Sequence, residues 1–203
     1  MNRKTTSPAY RVAVTGILAA AAVTLSFLES LLPAMPFLPP GAKLGLSNVA
    51  VMFTAVAMGL PEMLAVIVVK CLFTLIVRGL TAFFISLSGG LLSGLVMFAL
   101  ARLSARRSAD GGQKRAAFGY VGISAVSAVF HNLGQLIAAS VTAGVSLAPY
   151  LPFLVLFGLL FGVLTGTVLG AVMPALRRQT AAFIKKGSKD GKAARSALPD
   201  QQE

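Results

Sequence analysis

Fifteen of the eighteen lysines and arginines fall in three segments, residues 1–11, 102–115 and 177–203, and the stretches between them are almost wholly apolar. Juxtamembrane Lys and Arg collect on the inner side of membrane proteins and set their orientation. Three basic segments separated by apolar runs therefore predict a polytopic chain with both ends and one loop on the cytoplasmic side. The net charge of +12 is then a topology signal, and no nucleic-acid partner is expected from it. With 56% hydrophobic and 12% charged residues and a mean hydropathy of +0.82, the chain is short of the roughly 25% charge that soluble domains carry. It has no room for a second, soluble domain.

A helix needs about 20 apolar residues to cross about 30 Å of hydrocarbon. Six stretches fit: residues 11–32, 44–60, 61–78, 81–103, 117–141 and 148–176. Six crossings bring both termini and the 102–115 connection to one side, which are the three basic segments, so span count and charge rule agree independently. The fold expected is an all-α integral membrane protein, a bundle of six transmembrane helices with cytoplasmic termini. Residues 1–10 form the N-terminal segment, 11–176 the membrane domain, and 177–203 a basic tail, either disordered or a frayed helix near anionic lipid. A multi-pass protein of a prokaryotic cytoplasmic membrane is the expected setting. The apolar run behind Arg3 and Lys4 has a signal-peptide look, but it is long and its removal leaves an odd number of spans, so it is read as retained.

Small residues mark where helices approach closely. Gly158, Gly162, Gly166 and Gly170 recur every fourth position in the sixth span, one smooth face for a neighbouring backbone. Gly90 and Gly94 repeat the device in the fourth. In the first span Gly16, Ala20 and Thr24 do so more softly, with Ala9 and Ala13 nearer the cytoplasmic end, and Ala9, Ala13, Gly16 and Ala20 are read as a candidate docking face for another protein. The segment 33–41, with Pro33, Pro36, Pro39, Pro40 and Gly41, excludes a regular helix.

Ionisable and polar groups within spans carry the functional argument, because a charge at mid-membrane costs about 2.5–3.5 kcal/mol on insertion scales and persists mainly where it lines a cavity. Lys70, Thr74 and Arg78 share one helix face at i, i+4, i+8. Ser124, Ser127, His131 and Gln135 form a stripe on the fifth span, with Asn132 beside it. Asn48 lies near the outer start of the second span and Glu29 near the outer end of the first. The candidate substrate-binding set is Glu29, Lys43, Asn48, Lys70, Arg78, His131, Asn132 and Gln135. Its three cations against one carboxylate, Glu29, call for an anionic small-molecule ligand bearing a carboxylate or phosphate. Plainer roles stand beside this reading: Lys43 and Arg78 at the outer headgroups, Glu29 as their ion-pair partner, and His131 as an interhelical hydrogen-bonder. Glu62, at the start of the third span behind Pro61, complements the helix dipole and is given no function.

Cys71 is a single thiol, so neither a disulfide nor a cysteine metal cluster is available. His131 has no second His or Cys at ligand spacing, and no metal or cofactor is expected. No Gly-x-x-x-x-Gly-Lys-Ser/Thr phosphate loop occurs, so ATP-driven work needs another polypeptide.

Three ordered motifs, Pro40-Gly41-Ala42-Lys43-Leu44-Gly45-Leu46-Ser47-Asn48, Ser86-Leu87-Ser88-Gly89-Gly90-Leu91-Leu92-Ser93 and His131-Asn132-Leu133-Gly134-Gln135-Leu136, resemble the Gx transporter family. That family is also labelled heptaprenyl diphosphate synthase component I and is similar to the substrate-binding S components of energy-coupling-factor transporters. The resemblance covers about residues 29–175. It implies six membrane helices that capture a small molecule from outside and work with a transmembrane coupling subunit and ATPases. S components often carry Ala-x-x-x-Ala on the first helix for that docking. Only Ala9 and Ala13 match it strictly here, and Gly16 and Ala20 approximate it.

The synthase label meets a chemical test. Joining allylic diphosphates requires clustered carboxylates to hold Mg²⁺, and none of the six acidic residues is adjacent to another. Only Glu29 and Glu62 fall in the spans, near opposite faces. The chain is therefore read as a non-enzyme. Its alternative role is an accessory subunit that binds prenyl lipid or quinone in isoprenoid metabolism.

Overall fold

The computed structural model describes residues 8–31, 45–109 and 119–196, and side chains within them as far as 104 and from 119 to 175. They form six α-helices and no strand: α1 (Pro8–Leu31), α2 (Asn48–Ala57), α3 (Leu60–Arg78), α4 (Leu80–Ala109), α5 (Tyr120–Ala143) and α6 (Leu151–Ser196), with a single 3₁₀ turn at Ala148–Tyr150. Five of them are long and apolar enough to cross a bilayer. Their outward faces are lined with exposed aliphatic residues such as Val12, Ile17, Ile76, Val141, Leu156 and Leu160. In water such faces would aggregate, whereas in lipid they are the contact surface.

The second helix differs from expectation. The stretch 44–60 is helical only over Asn48–Ala57, about 15 Å at 1.5 Å per residue, too short to span alone. Gly59, at φ 133°, separates it from α3, whose first turn carries Pro61. Gly45, at φ 82°, opens the turn that precedes it. Instead of facing lipid, α2 sits inside the bundle against α1, α3, α4 and α6. Ala50, Val51, Met52, Phe53, Thr54 and Ala55 are consecutively buried in it. A helix apolar all round belongs in a core.

The alternation of direction nevertheless holds. Arg11 pairs with Glu62, so α1 and α3 begin at the same end of the bundle. The hydroxyl of Thr15 meets the sulfur of Met58, while the Leu46 N–H reaches the Glu29 carboxylate near the far end of α1. The chain therefore comes back down through α2. Gly79, at φ 84°, reverses α3 into α4 without a loop, and Gly144, at φ 68°, ends α5 as a left-handed cap.

Close backbone contact joins α5 to α6. A Cβ at Gly162 would lie 2.6 Å from the Ala125 Cα, one at Gly166 2.6 Å from the Val121 Cα, and one at Gly158 2.9 Å from the Asn132 side-chain nitrogen. Gly170 is looser, with only Tyr120 at 4.0 Å. Gly90 and Gly94 receive Ile67 and Met63 of α3. Beyond the membrane portion the backbone of α6 continues as helix to Ser196, through residues for which disorder or a frayed helix is expected from composition. Strong helix formers, Ala, Lys, Arg and Gln, fill much of that stretch.

Candidate functional site

Lys70 lies near the centre of α3, eight residues or about 12 Å from both Glu62 and Arg78. It is 5% exposed. Its ammonium donates to the Ser47 hydroxyl at 2.9 Å and to the Asn48 side-chain oxygen at 3.4 Å. Both acceptors belong to the start of α2. Because α2 is short, its N-terminus opens in the bundle interior, so a positive helix end and a lysine share one buried place. Around it, the turn is closed by Asn48 N–H to Gly45 O at 2.9 Å and Val49 N–H to Leu46 O at 3.1 Å.

Glu29 is the carboxylate of this region. It is buried, accepts the Leu46 N–H, and is near enough to attract the Lys70 ammonium electrostatically. The Thr74 hydroxyl bonds back to the Lys70 carbonyl at 3.1 Å within the same helix, a local tie that takes it out of the site.

A second polar group lies between α4 and α5. His131 Nδ1 is 3.3 Å from the Ser93 hydroxyl, and the Ser88 hydroxyl donates to the Gly134 carbonyl at 2.8 Å. Gly89 and Gly134 allow that approach: a Cβ at Gly134 would sit 3.0 Å from the Gly89 Cα, and one at Gly89 2.6 Å from Gln135 Cγ. Gly90 touches Ile67, one turn from Lys70, while neighbouring Ser93 reaches His131. Because α4 runs opposite to α3, Ser93 and His131 lie closer than Lys70 does to the end of the bundle where α3 begins.

Not every candidate joins these groups. Asn132 donates to the Leu154 carbonyl at 2.8 Å, tying α5 to α6 where Gly158 leaves room. Ser124 is bonded to Thr165 at 2.8 Å in the same seam. Arg78 ends α3 on the exposed surface, about 12 Å above Lys70. Lys43 lies outside the described residues. Ala9, Ala13, Gly16 and Ala20 all lie exposed along α1. Sequence reasoning passed over Ser47, Ser88 and Ser93, although all three sit within the motifs quoted above. A hydroxyl at the residue just before a helix was the available signal for Ser47. It also passed over the pairing of Glu62 with Arg11, which needs tertiary structure to be seen.

The fold and these buried polar groups define a multi-pass, all-α membrane protein with a charged residue held at mid-depth by the end of an interior half-length helix. Over residues 18–172, about three quarters of its length, the chain matches the family described as heptaprenyl diphosphate synthase component I. It belongs to that family. No curated protein and no solved structure matches the chain.

Proposed function

We propose that the protein is a non-catalytic, ligand-binding membrane component, similar to the S components of energy-coupling-factor uptake systems, that captures a small anionic molecule from the outer side. Lys70 carries the reading. Its ammonium is buried at mid-membrane, and the two hydrogen-bond acceptors found for it are neutral oxygens, Ser47 and Asn48. A charge so placed is costly to insert and is characteristic of a substrate path. The nearby Glu29 carboxylate is itself engaged by the Leu46 N–H. A carboxylate or phosphate arriving above α2 would meet both the ammonium and the positive helix end. His131 and Gln135, on the neighbouring seam of α4 and α5, would supply further polar contacts.

The family's name favours a second reading, a membrane partner of a prenyl diphosphate synthase that holds prenyl lipid or quinone. Either way the chemistry of prenyl transfer is assigned elsewhere. Of the two carboxylates in the spans, Glu62 is paired with Arg11 at one end and Glu29 lies toward the other. Among the described residues no group of three acidic, His or Cys side chains could hold a metal.

Co-expression separates the two readings. An S component should form a stable complex with a coupling subunit and its ATPases and support ATP-dependent uptake. An accessory subunit should copurify with a soluble synthase and raise its activity instead. Ala13→Leu and Ala20→Leu on the exposed face of α1 should break the transporter complex while ligand binding stays within about twofold. Equal loss of binding and assembly in these variants would remove the case for a separate docking face.

A further inference from the structure

On the outside of the bundle, α1 and α3 do not close completely at the end where both begin. A groove of about 680 Å³ runs between them, lined by Val12, Thr15, Gly16, Ala19, Ala65 and Val69, with Arg11 and Glu62 at its mouth. That volume is in the range of pockets that hold small organic molecules, about 300–1,000 Å³. The walls are those of a slot for a hydrocarbon chain: a Cβ built at Gly16 meets nothing within 4 Å. The mouth, at the helix starts, is at headgroup level.

Two observations at the mouth specify the occupant. Glu62 is 8% exposed and bonds Arg11 through Oε1, but its Oε2 is buried and has no hydrogen-bond partner among the described residues. A buried carboxylate oxygen left unpaired costs free energy, so the missing group is a donor. The Arg11 side chain remains 26% exposed, and a guanidinium carries five N–H donors, more than one carboxylate oxygen uses. At the mouth of the apolar slot an acceptor and a donor thus lie side by side, each with capacity to spare, and a turn of the Glu62 side chain would bring its second oxygen to the groove.

We propose that this groove is a site for a phospholipid with a primary-amine headgroup, whose ammonium meets Glu62, whose phosphate meets Arg11, and whose acyl chain lies along Gly16, Ala19, Ala65 and Val69. An ethanolamine headgroup supplies both poles and the N–H donors. A choline headgroup has the charge but no N–H to give, and a glycerol headgroup brings the phosphate without the cation. The inference is independent of ligand capture at Lys70, which lies two turns deeper on α3 than Glu62.

The test uses the full chain in detergent, with phosphatidylethanolamine, phosphatidylcholine and phosphatidylglycerol of identical acyl chains added at equal concentration and retention read by native mass spectrometry. Phosphatidylethanolamine should be retained about tenfold or more over the other two, the effect of one charge-assisted hydrogen bond. Glu62→Gln should collapse that preference while leaving some lipid bound. Gly16→Leu, which fills open space, should abolish retention of all three with the melting temperature unchanged. Equal retention of the three lipids by the wild-type chain overturns the proposal, whatever the variants do. So does undiminished retention in Gly16→Leu, or a donor-bearing helix of a partner protein found cross-linked to residue 62 in its place.

Discussion

At the level of single residues, Lys70 and Arg78 look alike in sequence, two cations on one helix face, yet the fold gives them different surroundings. Lys70 is enclosed and held by Ser47 and Asn48, whereas Arg78 is at the exposed end of α3. Lys70→Met keeps much of the side-chain length and removes the charge. The variant should insert at least as well as the wild type, because a central lysine opposes insertion. Anionic-ligand binding should nevertheless weaken, since a charge-assisted hydrogen bond contributes about 1.5–3 kcal/mol, or about tenfold to a hundredfold in Kd. Arg78→Gln, in contrast, should change Kd by less than about threefold, as expected for an exposed charge screened by its surroundings. Isothermal titration of both variants with the ligand that copurifies with the wild type decides the matter. Unchanged affinity in a folded Lys70→Met variant would remove the anionic site.

At the level of elements, the α5–α6 seam is set by glycine, and its positions differ measurably. Gly162→Ala places a methyl 2.6 Å from the Ala125 Cα, a backbone atom with little freedom to retreat. Overpacking of this kind costs about 1–3 kcal/mol, and the thermal midpoint in detergent should fall. Gly170→Ala meets only Tyr120 at 4.0 Å, so the midpoint should hold or rise, since alanine is favoured over glycine in a helix by about 1 kcal/mol. A common fall for both would mean that the seam is not what limits stability. The four-residue glycine spacing was legible in the sequence because backbone approach depends on a local pattern. The length of α2 was not. Residues 44–60 are apolar enough to span, and hydropathy does not distinguish a helix facing lipid from one buried among helices. What separates them is the set of neighbours on every side of α2. The partner of Asn132 was hidden for a related reason: a polar residue at mid-span is recognised by type, while its tie to the Leu154 carbonyl belongs to the folded chain.

At the scale of the whole molecule, the shared end of α1 and α3, fixed by the Arg11 pair with Glu62, and the reversals at Gly79 and Gly144 order the chain as alternating passes. The cation distribution then assigns the inner face. By that rule residues 102–115 and those after 176 are expected together on it, and residues 33–41, which lie outside the described residues, on the opposite face. On a Cys71→Ala background, which removes the one native thiol, single cysteines introduced at Ala109 and Ser188 should react with a membrane-impermeant maleimide only after the membrane is opened. A cysteine at Phe37 should react in intact cells. The short α2 makes this a demanding test, because if the segment before it did not return through the bundle, the 37 and 109 positions would fall on one side. Labelling of 109 in intact cells would place Lys70 and its neighbours under the wrong face, and capture of a ligand from outside would lose its structural basis. Labelling at 37 alone would instead put the open end of α2 toward the exterior, where an anion entering the bundle first meets the Ser47, Asn48 and Lys70 cluster.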